Sequence, residues 1–321
     1  MKRRTFLAGS AAAVLAAQEM RGKTLMHEHV LVDFAGAEVA SPSRYDVADV
    51  VRAALPKLRE VRAQGFDTFV ECTPAYLGRD PRLLQRLAKK SGLRFLTNTG
   101  WYGANNDKHL PKIAWKLSAE EIAALWIREA REGIEGSGVR PAFQKLGVDA
   151  GPLSEIDRKL IVAGCVCFQA TGLRMHVHTG KGAAADILEE LARRGVPASA
   201  YVWVHAQNET DGGVHAAAAK AGAFVELDGV NARSMDAHAR AVTELVGQGY
   251  LGHVLISQDS GWYRVGEPGG GQFNGFTFLW DSFVPELRKR GLTEAQVRAL
   301  LVENPARVLA PGLKNAIESR A

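Results

Sequence analysis

Apolar and polar positions along the chain switch repeatedly between two periods. Short runs with a strand's alternation, or apolar throughout, fall at residues 23–32, 66–72, 93–99, 141–148, 173–179, 199–205, 223–228 and 252–259. Stretches at helical spacing follow at 46–64, 81–90, about 118–135, 154–170, 183–194, 212–221, 236–248 and 276–290. In the first of them Val47, Val50, Val51, Ala54, Leu58 and Val61 form one apolar stripe. Ser118 with Glu121, and Thr293 with Gln296, read as capping boxes. The second opens a short terminal helix that Asn304-Pro305 is expected to end. Two longer connections, 101–117 and the glycine-rich 261–275, read as loops.

Strand followed by helix, eight times over, predicts a parallel sheet with crossover helices. Eight such units in roughly 290 residues match a closed (β/α)8 TIM barrel better than an open doubly wound sheet. No glycine-rich phosphate fingerprint follows the first strand, and no linker interrupts the chain. The expectation is a single α/β domain over 18–321.

Residues 1–17 have a basic start, a short alanine-rich apolar run and a small-residue exit at Leu15-Ala16-Ala17. The run is too short for a permanent membrane span. Arg3-Arg4-Thr5-Phe6-Leu7 resembles a twin-arginine export signal, so a periplasmic location is expected, by a route that carries folded protein. The formal charge of +5 owes three cations to this segment; without them 37 basic residues face 35 acidic ones. That balance gives no ground for a nucleic-acid or anionic-membrane partner. No later apolar run reaches 18 residues, so the mature chain is expected off the membrane. Cys72, Cys165 and Cys167 are too few for a disulfide framework and read as buried thiols.

In such a barrel, side chains at the C-terminal ends of the strands meet in one site. Those ends carry His27 and His29, Lys145, His178, His205 and Asp259. His27 and His29, one residue apart on a strand, share a face and can grip one metal ion, although the spacing alone also suits core or surface histidines. An ammonium buried beside metal ions is costly. Lys145 therefore either reaches solvent or an acid, or is converted by carbon dioxide to a carbamate that bridges two cations. His176 shares the face of His178 and reads as a packing or supporting residue.

As an ordered set, Met26-His27-Glu28-His29, Lys145, His178-Thr179, His205, the run Val254 to Asp259 and the tail Asn304 to Leu309 resemble the phosphotriesterase-like branch of the amidohydrolase superfamily. The resemblance extends from Thr24 to Leu309. It implies a binuclear centre with His27, His29 and Asp259 on the more buried ion, His178 and His205 on the other, and carboxylated Lys145 bridging both. Zinc suits this ligand set, as would manganese, cobalt or iron. The implied chemistry is attack of a metal-bridging hydroxide on a small ester or lactone, with Asp259 taking the proton and Tyr102, in the family's Gly-x-Tyr, leaning on the nucleophile or substrate. Phosphotriester or amide hydrolysis in the same site, or a catalytically silent binding protein on the same barrel, are the alternatives. Trp101, Tyr102, Trp262, Tyr263 and Phe273 are expected to wall the substrate pocket. Members of the family often form dimers, so a homodimer is the corresponding expectation. Two departures concern the substrate. Gly229 follows Leu227-Asp228 where the family carries arginine or histidine. Glu209 or Asp211 would have to replace an acidic pair that usually follows the strand-6 histidine.

Overall fold

The computed structural model of the protein describes residues 22–319; the export signal read at 1–17 lies outside them. Its strands are β1 (Lys23–Val32), β2 (Phe66–Glu71), β3 (Arg94–Leu96), β4 (Asn98–Thr99), β5 (Phe143–Val148), β6 (Met175–Thr179), β7 (Tyr201–Val204), β8 (Phe224–Leu227), β9 (Val254–Ile256) and β10 (Gly261–Arg264). They pair in parallel as β10-β1-β2-β3 and as β4-β5-β6-β7-β8-β9. The two runs join twice. β3 and β4 are halves of one extended segment, and Ala142 N–H donates to the Thr97 carbonyl between them at 2.7 Å. At the other seam Asp259 N–H donates to His27 O (3.1 Å) and His29 N–H to Ser260 O (2.9 Å), carrying the ladder from β9 into β10. Eight chain segments thus close into a (β/α)8 barrel.

That second seam corrects one expectation. The segment 261–264 is no loop; it is a strand in register with β1, Gly261 opposite His29 and Tyr263 opposite Leu31. Gly261 has φ +101°, and a Cβ there would sit 1.9 Å from the His29 carbonyl. A glycine that reads as a loop signal in sequence is here what lets two strands approach.

The helices cover the barrel with the stripes read from the sequence. In Val47–Ala63 the buried residues are Val50, Ala54, Leu58 and Val61, and the Asp46 carboxylate caps Ala48 N–H. Both expected capping boxes form. The terminal helix departs from expectation, because it runs from Glu294–Arg298 through a π turn at Ala299–Glu303 into Asn304–Leu309. The wider turn removes the clash that Pro305 would make in a regular helix. Asn304 does not end the helix; its side-chain amide donates to Leu251 O and Val254 O, fastening the helix beneath β9.

The apolar core has two bodies. The larger lies between strands and helices. The smaller includes Met26, Val70, Leu96, Phe143, Phe224 and Leu255 from the strands, joined by Ala306, Val308 and Leu309. All three cysteines are buried free thiols.

Candidate metal centre

Above that smaller core the inward positions turn polar. His27 is fully buried, with Nδ1 3.3 Å from Asp228 Oδ2 and 3.8 Å from Glu226 Oε2, and Nε2 3.2 Å from Lys145 Nζ. His29 Nε2 lies 3.1 Å from Asp259 Oδ1, and His27 Nε2 3.8 Å from the same oxygen. One ligand atom each from His27, His205 and Asp259 falls within 4.8 Å of the others; a second such group is His27, Glu226 and Asp228.

The other ring nitrogens are held by the protein. His205 Nδ1 donates to Asp228 Oδ1 at 2.5 Å, and a carboxylate can only accept, so the proton is on Nδ1. The Thr73 hydroxyl directs its own proton to Glu71 Oε1 or Leu31 O (2.6 and 3.0 Å), so at 2.8 Å it accepts from His29 Nδ1. His178 Nδ1 meets the Tyr102 hydroxyl at 3.0 Å. Three imidazoles thus commit Nδ1 to a supporting group, and Nε2 is left for a metal, the arrangement metal-ligating histidines ordinarily show.

Burial, reinforced by the Lys145 charge, holds His27 down to about 3, and burial likewise lowers His29. His178 lies well below its ordinary value through burial, with His205 and Lys145 adding. Neutral rings are what a cation needs. His205 goes the other way: burial opposes its charge, but Asp228 outweighs burial and raises it. Burial also works against Asp259, yet His29, His27 and His205 together hold its carboxyl below the usual range. Its Oδ1 is buried with no hydrogen-bond partner. Such an oxygen costs about 1–3 kcal/mol unless something cationic meets it. Lys145 is 2% exposed and makes no ion pair with a carboxylate among the described residues. The donor set therefore fits divalent cations, and a buried amine with no carboxylate within ion-pair distance among the described residues fits conversion to a carbamate.

His205, Asp259 and Trp262 all have positive φ, at +59°, +50° and +75°. Non-glycine residues adopt this region at a cost, and such residues cluster at functional sites.

Asp228 and Glu226 were not singled out from the sequence. Asp228 takes the His205 ring, the His205 N–H (3.1 Å) and the Gln207 side chain (2.7 Å). Glu226 is buried with both oxygens unpartnered, and burial and Asp228 raise it well above the carboxylate range. Their spacing of two, Glu226 on β8 and Asp228 just past its end, is the signal that was there to find. Glu209 and Asp211 do not reach the centre. Glu209 accepts from Thr210 N–H, and Asp211 caps Gly213 N–H on Gly212–Ala221. His176 is fully buried against Phe143, centroids 4.4 Å apart.

Of the five expected wall residues, Tyr102 and Trp262 meet the histidines. Trp262 lies 4.7 Å from His29 and Tyr102 5.1 Å from His178. Trp101 and Tyr263 are buried in the larger core. Trp101 packs edge-on against Trp126, and Phe273 against Phe276. In their place come Phe34 and His109. Ring contacts run from Trp262 to Phe34 (5.7 Å), Phe34 to His109 (6.2 Å) and His109 to Tyr102 (6.0 Å). The four strand-end histidines complete the circuit, His29 to His27 (5.3 Å), His27 to His205 (5.2 Å) and His205 to His178 (4.4 Å).

The phosphotriesterase family matches this chain over residues 10–309. An N-acetyltaurine hydrolase of Salmo salar is 27% identical over 275 residues, 80% of this chain and 77% of its own. The organophosphorus hydrolase of Deinococcus radiodurans has 28% identity and a TM-score of 0.79, covering 92% of this chain and 93% of its own. A structure described as organophosphate hydrolysis engineered from a weak promiscuous lactonase template has 28% identity and a TM-score of 0.80, covering 92% and 96%. With the family match spanning nearly the whole barrel, the chain belongs to the phosphotriesterase family.

Proposed function

We propose that this protein is a binuclear metal-dependent hydrolase of a small, uncharged ester or lactone. The observation that carries it is the convergence of His27, His205 and an unpartnered Asp259 oxygen within 4.8 Å, beside His29 and His178, with the Nδ1 atoms of His29, His178 and His205 held by protein groups. His27, His29 and Asp259 would hold one ion and His178 and His205 the other. Lys145 would serve both as a carbamate, its neutral amine forming an N–C bond to carbon dioxide and releasing one proton. Two divalent cations in such a site supply an acidic water and polarise the substrate's oxygen.

The chain's own residues do the rest. Asp259, kept ionised by three histidines, accepts the proton of the attacking water. The Tyr102 hydroxyl, accepting from His178 Nδ1, keeps its own proton free to donate to a substrate oxygen. Gly229 has φ +71° and abuts the Gln207 amide, so the position following Asp228 presents no side chain to the substrate. Zinc is the expected metal, with manganese, cobalt and iron as substitutes.

The test is elemental analysis after chelator-free purification, with turnover of aryl esters, γ- and δ-lactones, a phosphotriester and an N-acyl amide. About two ions per chain with preference for an ester or lactone is the expected result. Activity without metal, or preference for the triester or amide, would overturn it, and metal without any turnover would favour a binding protein. Export by the twin-arginine route is proposed alongside, to be checked by cell fractionation with Arg3 and Arg4 replaced by lysine.

A further inference from the structure

Four rings of the circuit are not metal ligands: Tyr102, His109, Phe34 and Trp262. Phe34 is 40% exposed, although it is one of the large apolar side chains. A lone exposed phenylalanine needs no explanation. This one is different, because it is stacked on Trp262 at an interplanar angle of 24° and meets the edge of His109 at 64°.

The backbone fixes it there. The preceding residue, Asp33, donates its N–H to Leu77 O at 2.7 Å, and its carboxylate accepts from Ala35 N–H (3.0 Å) and Arg44 Nε (2.7 Å). Ala37 N–H ties the same loop to Lys108 O, beside His109, at 3.0 Å. His109 is 1% exposed, so it is a buried backing and not a free arm. Trp262 is pinned by its indole N–H to the carbonyl of Asp259 at 2.8 Å. The Phe34–Trp262 pair is therefore held in register with the carboxylate that takes the nucleophile's proton. Its two side chains carry no charge, and their faces are flat.

We infer that Phe34 and Trp262, backed by His109, form a stacking shelf that selects substrates with a flat aromatic or unsaturated group beside the scissile bond. The inference rests on the hydrolase reading for its reaction and narrows the substrate class within it. Phe34 is the specificity-determining residue, since Trp262 also supports Asp259.

Binding of a hydrolytically inert pair separates the two ideas. Equilibrium dialysis would compare 2-naphthol with decahydro-2-naphthol, which has the same carbon skeleton without the flat π face. Stacking geometry predicts about two- to tenfold tighter binding of the aromatic probe. Phe34→Leu should abolish the preference and Phe34→Tyr should keep it, with circular dichroism and metal content unchanged in both. The ratio of kcat/KM for 2-naphthyl acetate to that for the decahydro ester should fall by the same factor in Phe34→Leu. Equal affinity of the two probes for the natural chain, or a preference that survives Phe34→Leu, would overturn the shelf. Selective naphthol binding by a metal-loaded chain that hydrolyses neither ester would leave the shelf standing and remove the hydrolase reading.

Discussion

Phe143 and Lys145 stand two residues apart on β5, Phe224 and Glu226 on β8, and Leu255 and Ser257 at and just beyond the end of β9. In each pair the first member belongs to an apolar floor and the second to a polar rim. The same strands supply both, so the backbone cannot be what distinguishes them. In the floor every side chain is satisfied by contact alone. In the rim Glu226, His27 and Asp259 each keep a buried polar atom without a partner. The floor therefore stabilises the barrel by contact alone, whereas the rim keeps buried polar atoms that the protein by itself leaves unsatisfied. Stability and function are divided by height along the barrel axis.

The sharpest break between the two comes from Lys145→Ala. It should cut metal content to well under one ion per chain and lower kcat/KM by at least about a hundredfold, while circular dichroism stays that of a folded barrel. Acetate or propionate, entering the vacated space, should restore part of both. Normal metal content without an added acid would make Lys145 a packing residue.

Phe224→Ala should do the reverse. Emptying a fully packed floor position costs about 3–5 kcal/mol in urea unfolding. Metal bound per folded chain should not change. A loss of metal comparable to the loss of stability would show that floor and rim are one cooperative unit.

Asp228→Asn sharpens the rim itself. It removes the charge that fixes the His205 tautomer and faces His27, and should weaken metal affinity roughly 10- to 100-fold, read by competition with a chelating dye. Unfolding of the metal-free chain should change little by comparison.

The last prediction concerns pH. His27 in the folded, metal-free chain titrates at about 3, below the ordinary value of 6.5 that it regains on unfolding. Between those values the unfolded chain binds the extra proton, so stability falls as pH falls. The slope is about 1.4 kcal/mol per pH unit for each such histidine. Urea midpoints of metal-free protein measured from pH 7 to pH 4 should drop accordingly, and loading with zinc should steepen the drop by adding proton competition. A flat profile would mean that the rim histidines are already charged.

The order of strands and helices was legible because each element carries its own period, and periodicity depends only on near neighbours in the chain. His27, His29, Lys145, His178, His205 and Asp259 were legible for a related reason, since strand ends in a parallel barrel must converge. What sequence could not decide was direction and distance at single residues. Trp101 and Tyr102 are adjacent, yet one enters the core and the other touches His178, and only the local backbone chooses between them. Gly261 looks like loop and is strand, because the close approach of the His29 carbonyl exists only once the barrel has closed. Phe34 and His109 lie 75 residues apart in separate loops. Their contact, and the circuit of rings it completes, depends on how those loops fold over one rim, and no local pattern in the sequence encodes a meeting between segments so far apart.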